Sequence, residues 1–276
     1  MKPVDKALWY IETHSNATLS LEEIAANANV SKYYLLRAFS AATGLSIMRY
    51  LRGRRLSVAA QRLAAGADDI LSVAVECGYG SHEAFTRAFR DCFGITPEAL
   101  RAQGHTRNIQ LVEAILMGHS QVAIESPIFK QSPVLLIAGI NQRYEGLESA
   151  AGIPSQWQRF NQFSGSIPHQ VNPTAYGVCY NTDDEGSMDY LCGVQVRDFS
   201  ALPKEFTSLR LPEQRYAVFF HSQHISAIRG TWNTIWNEWL PQSGHTVVDA
   251  PIIELYDQRF DPMTGNGGVE LWVPLA

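Results

Sequence analysis

"VSKYYLLRAFSAATGLS" (Val30–Ser46) and "GSHEAFTRAFRDCFGIT" (Gly80–Thr96) are the two stretches on which the fold turns. Laid over each other, they put Ser31 on Ser81, Arg37 on Arg87, Ala38 on Ala88, Phe39 on Phe89 and Gly44 on Gly94. One chain therefore writes nearly the same short helix twice, about 50 positions apart. Each copy follows an apolar segment with helical spacing: Leu21, Ile24, Ala25 and Ala28 before the first, Ile70, Val73, Ala74 and Cys77 before the second. In both, the intervening turn ends on a serine able to accept from the free amides of the next helix. Each unit reads as helix, tight turn, helix. The second turn is one residue longer and holds Gly78 and Gly80, which suits a reversal that needs positive φ.

Leu35 and Phe39, with Phe85 and Phe89, sit at i and i+4 and are expected to face the core. Lys32, Tyr33, Leu36 and Arg37 in the first copy, and His82, Glu83, Thr86, Arg87 and Arg90 in the second, are left on or near the outward face. A helix with donors and acceptors near its N-terminus fits the DNA major groove, and two of them joined by a rigid linker fit successive grooves about 34 Å apart. "MRYLRGRRLSVAAQRLAAG" (Met48–Gly66) reads as that linker helix, with Leu51, Leu56, Ala59, Ala60 and Leu63 as its apolar positions. Arg49, Arg52, Arg54, Arg55 and Arg62 lie in a stretch without a carboxylate, which suits a polyanion as well as a solvated basic face.

The net charge of −5 is unevenly spread. Residues 1–107 carry 13 Lys/Arg against 10 Asp/Glu, and residues 108–276 carry 9 against 17, so the two parts are expected to face different partners. At 46% hydrophobic and 18% charged, the 276 residues make a globular chain long enough for two domains. No apolar run is long enough to cross a bilayer, and "MKPVDKALWYIE" lacks a signal-peptide core, so a cytoplasmic location is expected. Cys77, Cys92, Cys179 and Cys192 form no metal-binding spacing and read as reduced thiols.

Residues 4–103 resemble the DNA-binding domain of the AraC/XylS family of transcription regulators, including the second-unit signature Ala74, Gly78, Tyr79, Phe85, Arg87, Phe89, Phe93, Gly94 and Pro97. The resemblance implies double-stranded DNA as partner, RNA polymerase as a further one, and base-facing positions at Tyr33, Tyr34, Leu36 and Arg37, then His82, Glu83, Thr86 and Arg87. The N-terminal placement of this domain matches the Rob-like branch. Leu36 stands where a polar base reader is usual, and Glu83 either accepts from a cytosine amino group or repels phosphate. For Arg87 an ion pair with Asp91, one turn on, is the structural alternative.

After a connecting segment at 108–120, the pattern from residue 121 changes to short apolar runs punctuated by Pro and Gly. Strands are predicted at 134–141, 175–181, 191–197, 205–211, 216–221, 251–257 and 269–273, and helices at 153–164 and 225–239. This part also repeats, at an offset of about 75: Trp157 matches Trp232, and "CGVQV" from Cys192 matches "GGVEL" from Gly267. Two similar halves sharing one sheet would create a cleft. Alternation puts Glu254 on a face with Ile252 and Tyr256, and Glu270 on a face with Trp272; for either alone a solvent-facing strand is the alternative, but a partly buried carboxylate beside aromatic rings suits an organic cation. Trp157, Tyr176, Tyr190, Trp236, Glu254, Glu270 and Trp272 are the candidate effector residues.

Residues 121–276 resemble the GyrI-like effector-binding domain through "YGVCYN", "DYLCGVQV", "WNEWLPQSG" and "VELWVPL". The resemblance implies a bulky lipophilic or cationic ligand, and matches the family's final-strand carboxylate to Glu270. The expected architecture is an all-α N-terminal domain (1–107) with two helix-turn-helix units, a linker (108–120), and a pseudo-symmetric α+β domain with antiparallel sheet (121–276). No GxSxG, HExxH or phosphate-cradling loop occurs. His221 and His224 read as a diverging strand end, so neither metal nor cofactor is expected. The readings set against an effector-responsive regulator are a small-molecule hydrolase using Glu270 and Tyr190 as acid and base, and a DNA-architectural protein whose C-terminal domain binds another protein.

Overall fold

The computed structural model describes residues 1–14, 19–66, 69–115, 122–145 and 148–276. Its first elements are α1 (Pro3–His14), α2 (Leu21–Asn27), α3 (Lys32–Thr43), α4 (Ile47–Ala64), α5 (Ile70–Glu76), α6 (His82–Phe93) and α7 (Pro97–Gln103). Local chemistry sets their starts. Ser20 and Glu23 form a reciprocal capping box on α2, while Ser46, Asp69, Ser81 and Thr96 accept from the first-turn amides of α4, α5, α6 and α7. The repeat is exact at its punctuation: Gly44 and Gly94 are both left-handed, and so are Asn29 and Gly78 just after α2 and α5. Gly80, read as a second positive-φ position, does not adopt one.

The chain forms two compact units: Met1–Lys32 with Ser46–Gly118, and Tyr33–Leu45 with His119–Ala276. In the first, α4 supplies Leu56, Ala59, Ala60 and Leu63 to a core completed by Ile70, Val73, Ala74, Cys77, Phe85, Phe89 and Leu100. The described part of the connecting segment packs here. Ile109 and Leu111 cover that core, the Val112 amide donates to Ser57 Oγ (2.8 Å), and the Ile115 amide donates to the Tyr50 hydroxyl (3.2 Å).

The second unit contains β1 (Ile128–Ser132), β2 (Leu135–Glu145), α8 (Glu148–Asn161), β3 (Gln170–Tyr180), β4 (Ser187–Val196), β5 (Thr207–Leu211), β6 (Gln214–His221), α9 (Ile228–Thr234), a π turn (Ile235–Trp239), α10 (Leu240–Ser243), β7 (Ile252–Tyr256) and β8 (Val269–Leu275). The described strands form one antiparallel sheet in the order β1-β6-β8-β7-β3-β4-β2-β5. Read from the β3/β7 junction outward, each half runs junction strand, partner, third strand, edge, so the halves inferred from the repeat meet there. Gly177↔Glu254 and Cys179↔Ile252 pair across it, which makes Cys179 the counterpart of Glu254. Edge strand β1 had no counterpart in the sequence prediction: "IFKQS" is mostly exposed and carries little periodic signal.

Candidate functional site

On α6, Phe85 and Phe89 point inward, whereas Glu83, Arg87 and Arg90 are exposed. With His82 and Thr86 they line a shallow depression of about 270 Å³. His82 Nε2 lies 2.9 Å from Glu98 Oε1. Arg87 has no carboxylate at ion-pair distance among the described residues, so the Asp91 alternative is not formed. The Thr86 hydroxyl is buried without a protein partner among them. The linker helix divides its arginines. Arg49 and Arg52 are exposed, but Arg54 grips Glu12 through two 2.9 Å bonds and also donates to Val112 O, and Arg62 pairs with Glu76. Arg54 and Arg62, two of the five arginines of the predicted polyanion-binding stretch, are thus engaged within their own unit.

The matching residues of α3 lie in different surroundings. Tyr34 and Leu36 are buried (5% and 6% exposed), the Tyr33 hydroxyl donates to Ala250 O (2.7 Å), and the Tyr34 hydroxyl donates to Trp236 O (2.7 Å). Burial raises the hydroxyl pKa of both tyrosines. Arg37 lies over the Tyr33 ring (5.5 Å), with Nη1 at 3.8 Å from Met188 Sδ. Lys32 pairs with Glu22 at 2.9 Å.

The effector candidates separate by sheet face. Glu254 pairs with Leu271 and Leu255 pairs with Glu270, so the two carboxylates leave opposite faces. One step of parity thus undoes both their joint pocket and the Glu270–Tyr190 acid–base pair, because Tyr190 lies on the Glu254 side. Glu254 Oε2 accepts from Tyr190 (2.9 Å) and Tyr256 (3.0 Å), and Oε1 accepts from Trp232 Nε1 (3.2 Å); Trp157 Nε1 donates to the Tyr190 hydroxyl (3.1 Å). Trp157 meets Tyr256 edge-on at 5.0 Å, and Trp236 stacks behind Trp232 at 6.4 Å. Gly177 makes room for the cluster, since a Cβ there would stand 2.1 Å from the Tyr190 hydroxyl. Glu254, Tyr256, Trp157 and Trp232 keep partial solvent access. Even so, the carboxyl is deep enough that burial raises its pKa against the pull of its three donors. No basic side chain pairs with it among the described residues.

Glu270 has the opposite surroundings. Lys130 Nζ (3.1 Å), Arg259 Nη2 (2.9 Å) and Trp272 Nε1 (3.0 Å) surround it. Burial pushes its carboxyl up, but the two cations more than offset this and hold it below the usual range. Tyr176 and Trp272 belong to the apolar cluster on that face, with Ile253, Tyr216 and Val218. Trp232 and Tyr256 are the members of the Glu254 cluster absent from the predicted set. Their signals were the 75-residue repeat of Trp157 and the alternation Glu254–Tyr256. His221 spends both ring nitrogens on Thr231 Oγ1 (2.8 Å) and His224 O (3.2 Å).

A model of the GyrI-like small molecule binding domain matches residues 125–276, more than half of the chain. The chain belongs to the GyrI-like family. A helix-turn-helix domain model matches residues 24–103 of the same chain, so this GyrI-like protein carries an AraC-type DNA-binding domain ahead of its small-molecule domain. It is 28% identical to the transcriptional regulator Rob of Salmonella typhimurium, over 97% of this chain and 94% of that protein. It is 33% identical to the multiple antibiotic resistance protein MarA of Escherichia coli K12, over 38% of this chain and 84% of that one. Among solved structures, SAV2435 bound to tetraphenylphosphonium matches with a TM-score of 0.47 and 22% identity, over 55% of this chain and 94% of that one. The GyrI-like chain is a DNA-binding transcription regulator with a small-molecule binding domain. Among its described residues no helix is long and apolar enough to cross a membrane.

Proposed function

We propose that the small molecule is a lipophilic organic cation held at Glu254, and that its binding alters DNA engagement by the two helix-turn-helix units. The observation that supports this is a carboxylate ringed by Tyr190, Tyr256, Trp232 and Trp157 with no basic partner among the described residues. Desolvation of an unneutralised carboxylate costs free energy that a cation recovers, and ring faces add attraction. Glu270 lacks this capacity, since Lys130 and Arg259 already neutralise it.

In this reading Arg87, Arg90, Thr86, Glu83 and His82 serve the second DNA contact, and Arg37, Tyr33, Tyr34, Leu36 and Lys32 serve the first. Residues 1–107 and 121–276 divide the DNA and effector roles across the 108–120 connection. The chain works in the cytoplasm, engages RNA polymerase at the promoter, and responds to its ligand without turning it over.

Calorimetric titration with tetraphenylphosphonium tests the site. Glu254→Gln is expected to lose at least tenfold in affinity and Glu270→Gln less than twofold; the reverse order would move the site to the other face. Cation binding needs the ionised form of Glu254, whose pKa is raised. Affinity is therefore expected to fall, as pH is lowered, around a midpoint above the ordinary carboxylate value of 4.5. A midpoint at or below 4.5 would exclude Glu254.

A further inference from the structure

We propose that the C-terminal domain carries a docking site for the first DNA-reading helix, α3, which must leave that site before it can enter a major groove. Tyr33 and Tyr34, whose side chains would face bases, have their hydroxyls committed to the carbonyls of Ala250 and Trp236, both at 2.7 Å. From the other side, Asn237 Nδ2 donates to Ala38 O at 3.0 Å. These contacts lie inside the unit formed by Tyr33–Leu45 and His119–Ala276.

The Trp236 carbonyl shows that the site is built for an incoming donor. In the π turn the Leu240 amide donates to Ile235 O, five residues back, and so passes over Trp236. The next residue, Pro241, has no N–H to offer. Trp236 O is thereby deprived of an intrahelical partner, and a buried carbonyl in that position is costly. Tyr34 supplies the missing proton. The outer face of α3 fits the same account: Leu36, at 6% exposure where a base reader is usual, is apolar because it packs on protein.

Arg37 limits how tightly the helix is held. Its Nε is buried without a partner among the described residues, while its other nitrogens meet only the Tyr33 side chain and the soft Met188 sulfur, 3.8 Å from Nη1, among those residues. A guanidinium left this unsatisfied favours release towards phosphate or guanine, which present paired acceptors. The buried Cys179 thiol, counterpart of Glu254 across the pseudo-dyad, senses both sides: burial, with Glu254 adding to it and Arg37 opposing it, raises its pKa to about 12. Met188, which Arg37 meets, and Tyr190, which donates to Glu254, are alternate residues on one face of β4, so Glu254 and Arg37 share one low-dielectric region. A ligand cation at Glu254 would repel Arg37, so ligand binding and release of α3 favour each other; this step alone rests on the cation reading given above.

The test uses the full chain and an operator selected with it from random duplex DNA, with affinity read by anisotropy. In the wild-type background Arg87→Ala is expected to cost tenfold or more and Arg37→Ala less than twofold. In a background of Asn237→Ala with Pro241→Ala, which removes one docking bond and gives Trp236 O an intrahelical donor, Arg37→Ala should also cost tenfold. Equal losses from the two arginines in the wild-type background would overturn the docking. If the double variant fails to fold, Tyr34→Phe is read by hydrogen exchange: faster exchange across 33–43 with 83–93 unchanged supports the docking, and unchanged exchange at 33–43 overturns it. Tetraphenylphosphonium should raise operator affinity at least threefold in the wild type and not in the undocked background. Should the cation have no effect while the arginines behave as stated, the docking stands and the effector reading falls.

Discussion

On α6, positions 83, 84, 87 and 90 are open to solvent; on α3 the matching 33, 34 and 37 are buried or half-buried, and only Ser40 is exposed. Both helices keep the same inner pattern, phenylalanine at 39 and 89 and a large apolar residue at 35 (Leu) and 85 (Phe), all fully buried. The copies have therefore diverged chiefly on the outward face, where His82, Glu83, Ala84 and Thr86 in one stand against Lys32, Tyr33, Tyr34 and Leu36 in the other. An inner face is constrained by packing that any helix-turn-helix unit requires. An outer face is free to be tuned for whatever it meets: solvent, and in the proposed role DNA, for α6, and in this structure protein for α3.

The largest effects should not distinguish the helices at all. Phe39→Ala and Phe89→Ala each delete a ring with no solvent exposure and are each expected to destabilise by about 3–5 kcal/mol. Urea unfolding of the two variants measures this. A loss confined to Phe89 would mean that the inner faces are not equivalent, and the comparison of the outer faces would lose its control.

One step outward the helices should part. Leu36→Ala is expected to cost about 2–3 kcal/mol, as for a buried leucine, although its position is that of a base reader. A measured cost under about 0.5 kcal/mol, the range of ordinary surface substitutions, would show Leu36 exposed in solution and α3 as open as α6.

Much of this was legible before any coordinates. The doubled motif gave the helical units, since N-cap side chains (Ser20 and Asp69, Ser46 and Thr96), core aromatics and left-handed glycines are local requirements that recur with the fold. The 75-residue offset gave the two halves of the sheet, and β3 and β7 meet at their junction as that symmetry requires. Pairing parity was not legible. Glu254 and Glu270 each alternate with an aromatic neighbour, and only the register of Glu254 on Leu271 shows that they face opposite ways. Ion pairing over distance was hidden for the same reason: Lys130 and Arg259 reach Glu270 from 140 and 11 positions away, and nothing in the spacing announces it. The docked state of α3 had one trace, Leu36 in a reader position, whose meaning depends on the π turn and Pro241 far along the chain.

The smallest expected effect is the most diagnostic for α6. The Thr86 hydroxyl is buried and meets no acceptor or donor among the described residues, so in the free protein it carries a desolvation cost without return. Thr86→Val keeps the branched shape while removing that group, and the variant should be as stable as the wild type or more stable by up to about 1 kcal/mol. The same change should weaken operator binding, because a hydroxyl in a major groove finds base edges or phosphate. Opposite signs in the two measurements would mark Thr86 as a group kept for DNA at the expense of the free state. If Thr86→Val instead lowered the unfolding midpoint and left DNA affinity alone, the hydroxyl would have a partner within the fold, and α6 would be less open at its centre than its exposed arginines indicate.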